Sequence, residues 1–257
     1  MLLRDKTCII AGVSSPRGIG FATAALFARH GARIVAVNLG LDDVAGQDVA
    51  DAIASTNGAS PEFLALACDI TDREQCRDAI ARTVAKFGGV DVLVNCVGIV
   101  DSKGILDIDD QDFDRMISVN LRGALNLCQS VLPAMVDSAC GSIINIASTA
   151  AQRGGGLVGG ANYAASKGGL VSLTKSIARE FGPQGIRANI VSPSMTETGM
   201  LDGNISQERF DALVETIPLR RAGKPGDIAG ACLFLASDLA AYVTGAIIDV
   251  NGGSHIY

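Results

Sequence analysis

Tyr163 and Lys167 stand four residues apart, and Ser148 precedes the tyrosine by fifteen residues at the end of an apolar run. On a helix this spacing puts phenol and ammonium on one face, where the cation would lower the phenol's pKa from about 10 toward neutrality. Tyr163 is therefore a candidate general acid/base. The pair by itself is weak evidence, because the same spacing in any helix gives a half-buried tyrosine beside a solvated lysine.

A second constellation suits phosphate. Gly12-Val13-Ser14-Ser15-Pro16-Arg17-Gly18-Ile19-Gly20 follows a short apolar run and opens a helix-period segment. Several backbone N–H groups and a helix N-terminus then converge where a pyrophosphate would sit, with Gly12, Ser14, Ser15, Arg17, Gly18, Ile19 and Gly20 as candidate contacts. The alternative is an ordinary tight turn. The next apolar run closes at Asn38-Leu39, where a carboxylate usually takes the ribose hydroxyls of NAD. An amide there does not repel a 2′-phosphate, and Arg17 is a candidate partner for it, so NADP(H) is favoured over NAD(H). Asp69-Ile70 ends the third run, where a carboxylate can accept the adenine amino group. Asn95-Cys96-Val97-Gly98 ends the fourth, where small residues let the chain pass close to a cofactor. Each alone is also readable as a strand-end turn.

These groups need a frame, and 257 residues with 48% hydrophobic content and 30 glycines suit one large α/β domain spanning 1–257. Short apolar runs at Thr7–Ala11, Arg33–Val37, Phe63–Ala67, Val90–Val94, Ser142–Ala147, Arg187–Val191 and Ala246–Val250 alternate with helix-period segments. The pattern predicts a Rossmann-type, doubly wound, seven-stranded parallel sheet with helices on both faces. Ile19, Ala22, Thr23, Leu26 and Phe27 mark the first helix, stopped by Gly31, and one long helix is expected from Phe113 to Met135.

Composition excludes other classes. Seven cysteines without a Cys-x-x-Cys pair and two histidines give no metal-site pattern. A net charge of −6 with no basic stripe disfavours nucleic acid, and no run is long enough to span a membrane. The first residues lack the order of a secretory signal, so a cytoplasmic protein acting on a small molecule is expected.

Taken in order, the Gly12–Gly20 turn, Asp69, Asn95–Gly98, Asn120, Ser148, Tyr163, Lys167, Pro193 with Thr198 and Met200, Pro218-Leu219-Arg220-Arg221 and Val250-Asn251-Gly252-Gly253 resemble the short-chain dehydrogenase/reductase family over nearly the whole chain. The resemblance implies a catalytic set of Asn120, Ser148, Tyr163 and Lys167. Ser148 would stabilise charge on a carbonyl oxygen, Tyr163 would deliver the proton, and Lys167 would tune the phenol and hold the nicotinamide ribose. Asn120, in a locally opened helix, would bind a water leading protons toward Lys167. Pro193, Ser194, Thr196 and Thr198 would join the cofactor site.

Departures are visible. The glycine turn is two residues longer than the family's usual form, Cys96 and Val97 replace an Asn-Ala pair, Ser194 replaces a glycine, and the Ser148–Tyr163 interval is two longer. The added length should lie beside the substrate, for which Ala150, Gln152, Arg153, Asn162 and Met200 are candidate contacts. A lid is expected at about 198–217. The pattern is most similar to 3-oxoacyl-carrier-protein reductases and sugar or secondary-alcohol dehydrogenases. An acidic surface argues against an acidic carrier, leaving a free hydroxy/keto compound at least as well supported. Family enoyl reductases usually space the tyrosine and lysine further apart. A non-catalytic NAD(P) sensor is the alternative, with no need for all of Ser148, Tyr163 and Lys167. Apolar stripes on the Phe113 and Tyr163 helices suit a homotetramer or homodimer.

Overall fold

The computed structural model describes residues 1–13, 15–58, 61–155, 158–201 and 205–256. Among these, seven parallel strands form one sheet in the order β3-β2-β1-β4-β5-β6-β7. They are β1 (Thr7–Ala11), β2 (Arg33–Asn38), β3 (Phe63–Ala67), β4 (Val92–Asn95), β5 (Gly141–Ile146), β6 (Ile186–Pro193) and β7 (Ile247–Val250). The order reverses between β1 and β4, which opens a crevice beyond the strands' C-terminal ends.

Successive side chains of a strand point to opposite faces, and β1 shows what each face buries. Cys8 and Ile10 join a core with Phe27 of α1 (Ile19–Arg29), Ile53 of α2 (Asp43–Asn57) and residues Ile228 and Leu233 of α9, the helix Pro225–Ala236. Ile9 and Ala11 join the opposite core. That core takes Ile80 from α3 (Arg73–Phe87), Leu127 and Val131 from α5 (Gly123–Asp137) and Ile177 from α7 (Ala161–Phe181). Both faces are covered, so strands read as unbroken apolar runs. No helix among the described residues is long and apolar enough to cross a membrane.

Two strands differ from expectation. β4 begins at Val92 rather than Val90, and β6 extends through Pro193, because pairing with a neighbour and not hydropathy decides where a strand stops. The expected single helix from Phe113 to Met135 is one rod with a changed pitch in its middle. It starts as α4 (Asp110–Ile117), passes through a π-helical turn at Ser118–Arg122, and continues as α5. A π turn carries an extra residue per turn and is common at functional sites. Here it surrounds the buried Asn120, 1% exposed.

Candidate active site

The register of the sheet brings the site together. Ala11 pairs with Asn95 and Asn95 with Asn145, so β1, β4 and β5 end level. The chain leaves β1 at Gly12, whose φ of +92° and close approach to Cys96 (3.0 Å from an added Cβ) call for glycine. A Cβ at Gly20 would lie 2.3 Å from the Gly12 carbonyl oxygen, so this glycine lets α1 begin directly over the strand end. Gly18 caps α1 with no side-chain hydrogen bond, leaving the helix's first N–H groups for an anion. The turn therefore fits a dinucleotide pyrophosphate. Ser14 lies outside the described residues.

The rest of the expected cofactor wall divides. Asn38 ends β2 with its carbonyl accepting from the Cys68 N–H at 3.0 Å, and Leu39 is exposed beside it. Asp69 Oδ1 accepts from both the N–H (2.9 Å) and hydroxyl (2.8 Å) of Thr71, which fixes the turn at the end of β3. The Ile70 carbonyl accepts from Asn126 Nδ2 at 2.9 Å. In the turn after β4, Asn95 bonds inward to Asn145 (3.3 Å) and to the Val97 N–H (3.1 Å), and Val97 packs into the core. Cys96 and Gly98 face the cleft instead.

That cleft, about 930 Å³ including its open mouth, runs along the C-terminal edge of β4, β5 and β6. Ser148, Tyr163 and Lys167 line it together with Ala150, Arg153, Pro193, Ser194, Thr196, Thr198 and Met200. Ser148 follows β5 and is half-buried, its Oγ accepting from the Ala150 N–H at 3.1 Å. It lies close enough to the phenol of Tyr163 to pull that group's pKa down. Tyr163 and Lys167 stand one turn apart on α7, the Nζ 5.9 Å from the ring centre.

One expectation fails in its physics. Burial raises the Tyr163 pKa above the usual phenol value, and Ser148 only pulls it partly back. Lys167 is not among the groups that lower it; its Nζ donates to the Ile146 carbonyl at 2.8 Å. Burial also lowers the Lys167 pKa to about 8, so the ammonium itself is poised to lose its proton near neutrality.

Asn120 lies behind the cleft wall. Its Oδ1 accepts from the Ile99 N–H at 2.8 Å, and its Nδ2 donates to the Ile99 carbonyl and to Ser166 Oγ, each at 3.0 Å. A Cβ on Gly98 would stand 3.2 Å from Lys167 Nζ and 3.4 Å from Asn120 Oδ1, so both side chains close on the same glycine. Asn120 is thus placed on the same side of Gly98 as Lys167.

Comparisons with known proteins show the family. The family model described as enoyl-(acyl carrier protein) reductase matches residues 12–255. An uncharacterized short-chain type dehydrogenase/reductase, y4mP, of Sinorhizobium fredii is 45% identical over the full length of both chains. The 3-oxoacyl-[acyl-carrier-protein] reductase FabG of Thermotoga maritima is 37% identical, covering 98% of this chain and 99% of its own. The chain belongs to the short-chain dehydrogenase/reductase family. A solved short-chain dehydrogenase/reductase described as putative, from Burkholderia xenovorans, superposes with a TM-score of 0.88 at 33% identity, covering 98% of this chain and 97% of its own. The crystal structure of gox2181 does so at 0.90 and 30% identity, covering 100% and 98%. This short-chain dehydrogenase/reductase is thus an NAD(P)-dependent oxidoreductase of a seven-stranded Rossmann fold.

Two expected substrate contacts fall elsewhere in this dehydrogenase/reductase. Asn162 is buried, donating to Asp101 Oδ2 at 2.8 Å and accepting from the Tyr163 N–H at 2.8 Å, so it ties down the start of α7. Gln152, on the short helix α6 (Ala150–Arg153), is absent from the cleft lining. The expected lid holds a 3₁₀ turn at Gly199–Leu201 and α8 (Gln207–Val214). Phe210 and Leu213 pack on Met195, Ile217 and Ala222 at its base, while Met200 reaches the cleft. Within this segment the Leu201 side chain and residues 202–204 lie outside the described ones.

Sequence reasoning missed the Ile146 carbonyl that holds Lys167, the Ser166 hydroxyl that holds Asn120, and the chain's end. Ser254 Oγ donates to Ser194 Oγ at 2.8 Å. Ser166 had a signal, three residues after Tyr163 on the same helix face, where its hydroxyl donates to the Tyr163 carbonyl at 2.7 Å. A backbone carbonyl and a tail contact leave none.

Proposed function

We propose that this enzyme interconverts a carbonyl and a secondary alcohol, with Tyr163 as the proton donor and acceptor at the reacting oxygen. The observation that carries the reading is that Ser148, Tyr163 and Lys167 line one cleft at the C-terminal edge of the sheet. A bound nicotinamide would supply or accept the hydride. Gly12, Ser15, Arg17, Gly18, Ile19 and Gly20, with Ser14, would hold the pyrophosphate end, Asn38, Leu39, Asp69 and Ile70 the adenosine, and Lys167, Cys96, Gly98, Pro193, Ser194, Thr196 and Thr198 the nicotinamide ribose and ring.

The chain's own groups then divide the proton work. Ser148 donates to the carbonyl oxygen and stabilises charge that builds there. Tyr163, kept protonated at neutral pH by burial, gives up its proton as that charge develops. Lys167, charged below about 8, supports the phenolate that results, and Asn120 holds the backbone beside it. Rotation of Lys167 away from the Ile146 carbonyl is required for that support. In the oxidation direction the phenol must first lose its proton, so alcohol oxidation rises with pH and carbonyl reduction falls on the alkaline side.

NADP(H) is preferred over NAD(H), since Asn38 carries no charge to repel a 2′-phosphate and Arg17, in the glycine turn after β1, would pair with it. The substrate is a 3-oxoacyl thioester or a small hydroxy/keto compound such as a sugar or polyol. A groove between α5 and α7 lined by Ile117, Leu121, Leu125 and Leu173 supports a homotetramer or homodimer, which light scattering tests. A second reading, reduction of an enoyl thioester, is favoured by the description of the matching family model. The comparisons give no support to a non-catalytic sensor.

NADPH and NADH oxidation with a panel of ketones and with an enoyl thioester tests the reading. Ketone turnover with NADPH preferred is the expected result. Turnover of the enoyl thioester alone replaces it with the second reading. Tight cofactor binding without turnover of any compound overturns both. Replacing Arg17 with alanine should cut the NADPH-over-NADH preference about tenfold, and an unchanged ratio removes Arg17 from the 2′-phosphate site.

A further inference from the structure

Away from the cofactor turn, the cleft ends against a wall of unlike parts. Ala150, Val158 and Met200 are apolar, and Arg153 is the one charged group among the described lining residues besides Lys167. No aspartate or glutamate lines the cleft among those residues. A cation without a facing carboxylate is unexpected in a chain whose net charge is −6.

Arg153 is held in place. It is the last residue of α6, and Gly154 follows it in the left-handed conformation (φ +80°), which ends the helix and turns the chain away. Its Nη1 donates to the Ser254 carbonyl at 3.4 Å, and Ser254 is itself tied through its hydroxyl to Ser194, which also lines the cleft. That bond uses one of five guanidinium N–H groups, and an arginine fork suits a planar two-oxygen anion. Arg153, Ser148 and Tyr163 line the same cleft, so one ligand would meet the fork with its anion and the Ser148–Tyr163 pair with its carbonyl.

We infer that Arg153 is a specificity-determining residue that pairs with an anionic group on the substrate, making a short keto or hydroxy compound carrying a carboxylate or phosphate the preferred class. The inference rests on the carbonyl–alcohol reading of the same cleft.

Acetoacetate, ethyl acetoacetate and acetoacetyl-coenzyme A offer the same ketone with a carboxylate, with no charge and with thioester-borne phosphates. For the native enzyme, kcat/KM should be higher for acetoacetate than for its ester. Arg153→Ala should lower that ratio about 10- to 100-fold through KM, and Arg153→Lys, which keeps the charge without the fork, should lose less. A fall in the thioester-to-ester ratio alone overturns the inference, since the phosphates of coenzyme A lie many bonds from the ketone. If Arg153→Ala changes neither ratio, or the native enzyme favours the ester over both charged compounds, the inference is overturned. Failure of all three compounds to turn over counts against the carbonyl–alcohol reading. Arg153 is then judged by calorimetric binding of acetoacetate to the NADPH-loaded protein, where equal affinity in native and Arg153→Ala protein overturns the pairing. Circular dichroism melts of each variant separate these effects from misfolding.

Discussion

The two walls of the cleft are built differently. One is made by the end of β5, the start of α7 and the turn after β4, and its polar groups are buried and bonded: Asn120 to Ile99 and Ser166, Lys167 to Ile146, Asn95 to Asn145. The other is made by α6 and the segment after β6, where Arg153 is exposed and Met200 is 41% exposed. Proton transfer needs groups held within a few tenths of an ångström, which only a packed, hydrogen-bonded setting provides. Choice of substrate needs a surface that can vary without disturbing that setting. The contrast predicts that changes on the first wall damage rate or folding, and changes on the second alter KM.

The largest effect belongs to the glycine turn that roofs the cofactor end. Gly20→Ala would put a Cβ 2.3 Å from the Gly12 carbonyl oxygen, a backbone atom that cannot step aside. Cofactor affinity measured by fluorescence titration should fall at least about 100-fold, or the protein should fail to fold. Native affinity would mean that α1 can shift without cost.

Lys167→Met sharpens the comparison, since it should hurt rate and help stability. Loss of kcat should be about 100-fold. The sign of the stability effect follows from the folded pKa of about 8 lying below the ordinary lysine value near 10.5. Below about pH 8 the folded native protein carries a buried charge at full cost, and above about 10.5 neither state carries it. Native stability, measured by denaturant melts, should therefore rise relative to the variant between those pH values, by about 3 kcal/mol at most. A pH-independent difference would show that the ammonium is better solvated than its burial indicates.

Much of this division was legible in the sequence. Strands buried on both faces read as apolar runs, so all seven were found within about two residues, and Ser148, Tyr163 and Lys167 followed from spacing on one helix and one strand end. The first wall's second layer was less legible. Asn120 came from the family resemblance, yet the π turn around it depends on contacts with Ile99 and α7 that no local pattern encodes. The phenol's raised pKa escaped for a similar reason: spacing shows that Lys167 is near, but not how deeply the fold buries the phenol. On the second wall, Gln152 and Asn162 were expected in the cleft because polar residues in a glycine-rich loop give no direction. The Asp101 carboxylate that takes Asn162 lies 61 residues away in the chain.

The smallest expected effect is on the second wall. Met200→Ala should raise KM about threefold for a substrate with an apolar portion and leave kcat within about twofold, as loss of one partly exposed contact would. A large loss of kcat would mean that the segment after β6 takes part in aligning the reacting groups.

The central claim is that the Tyr163 phenol is the proton donor to the carbonyl oxygen. Single-turnover reduction of a ketone by Tyr163→Phe, with NADPH affinity measured on the same protein, tests it most directly. The account predicts a rate at least about 100-fold slower with cofactor affinity within a few-fold of native, because the ring and its packing remain while the hydroxyl is gone. A rate within threefold of native, at equal cofactor affinity, would contradict it.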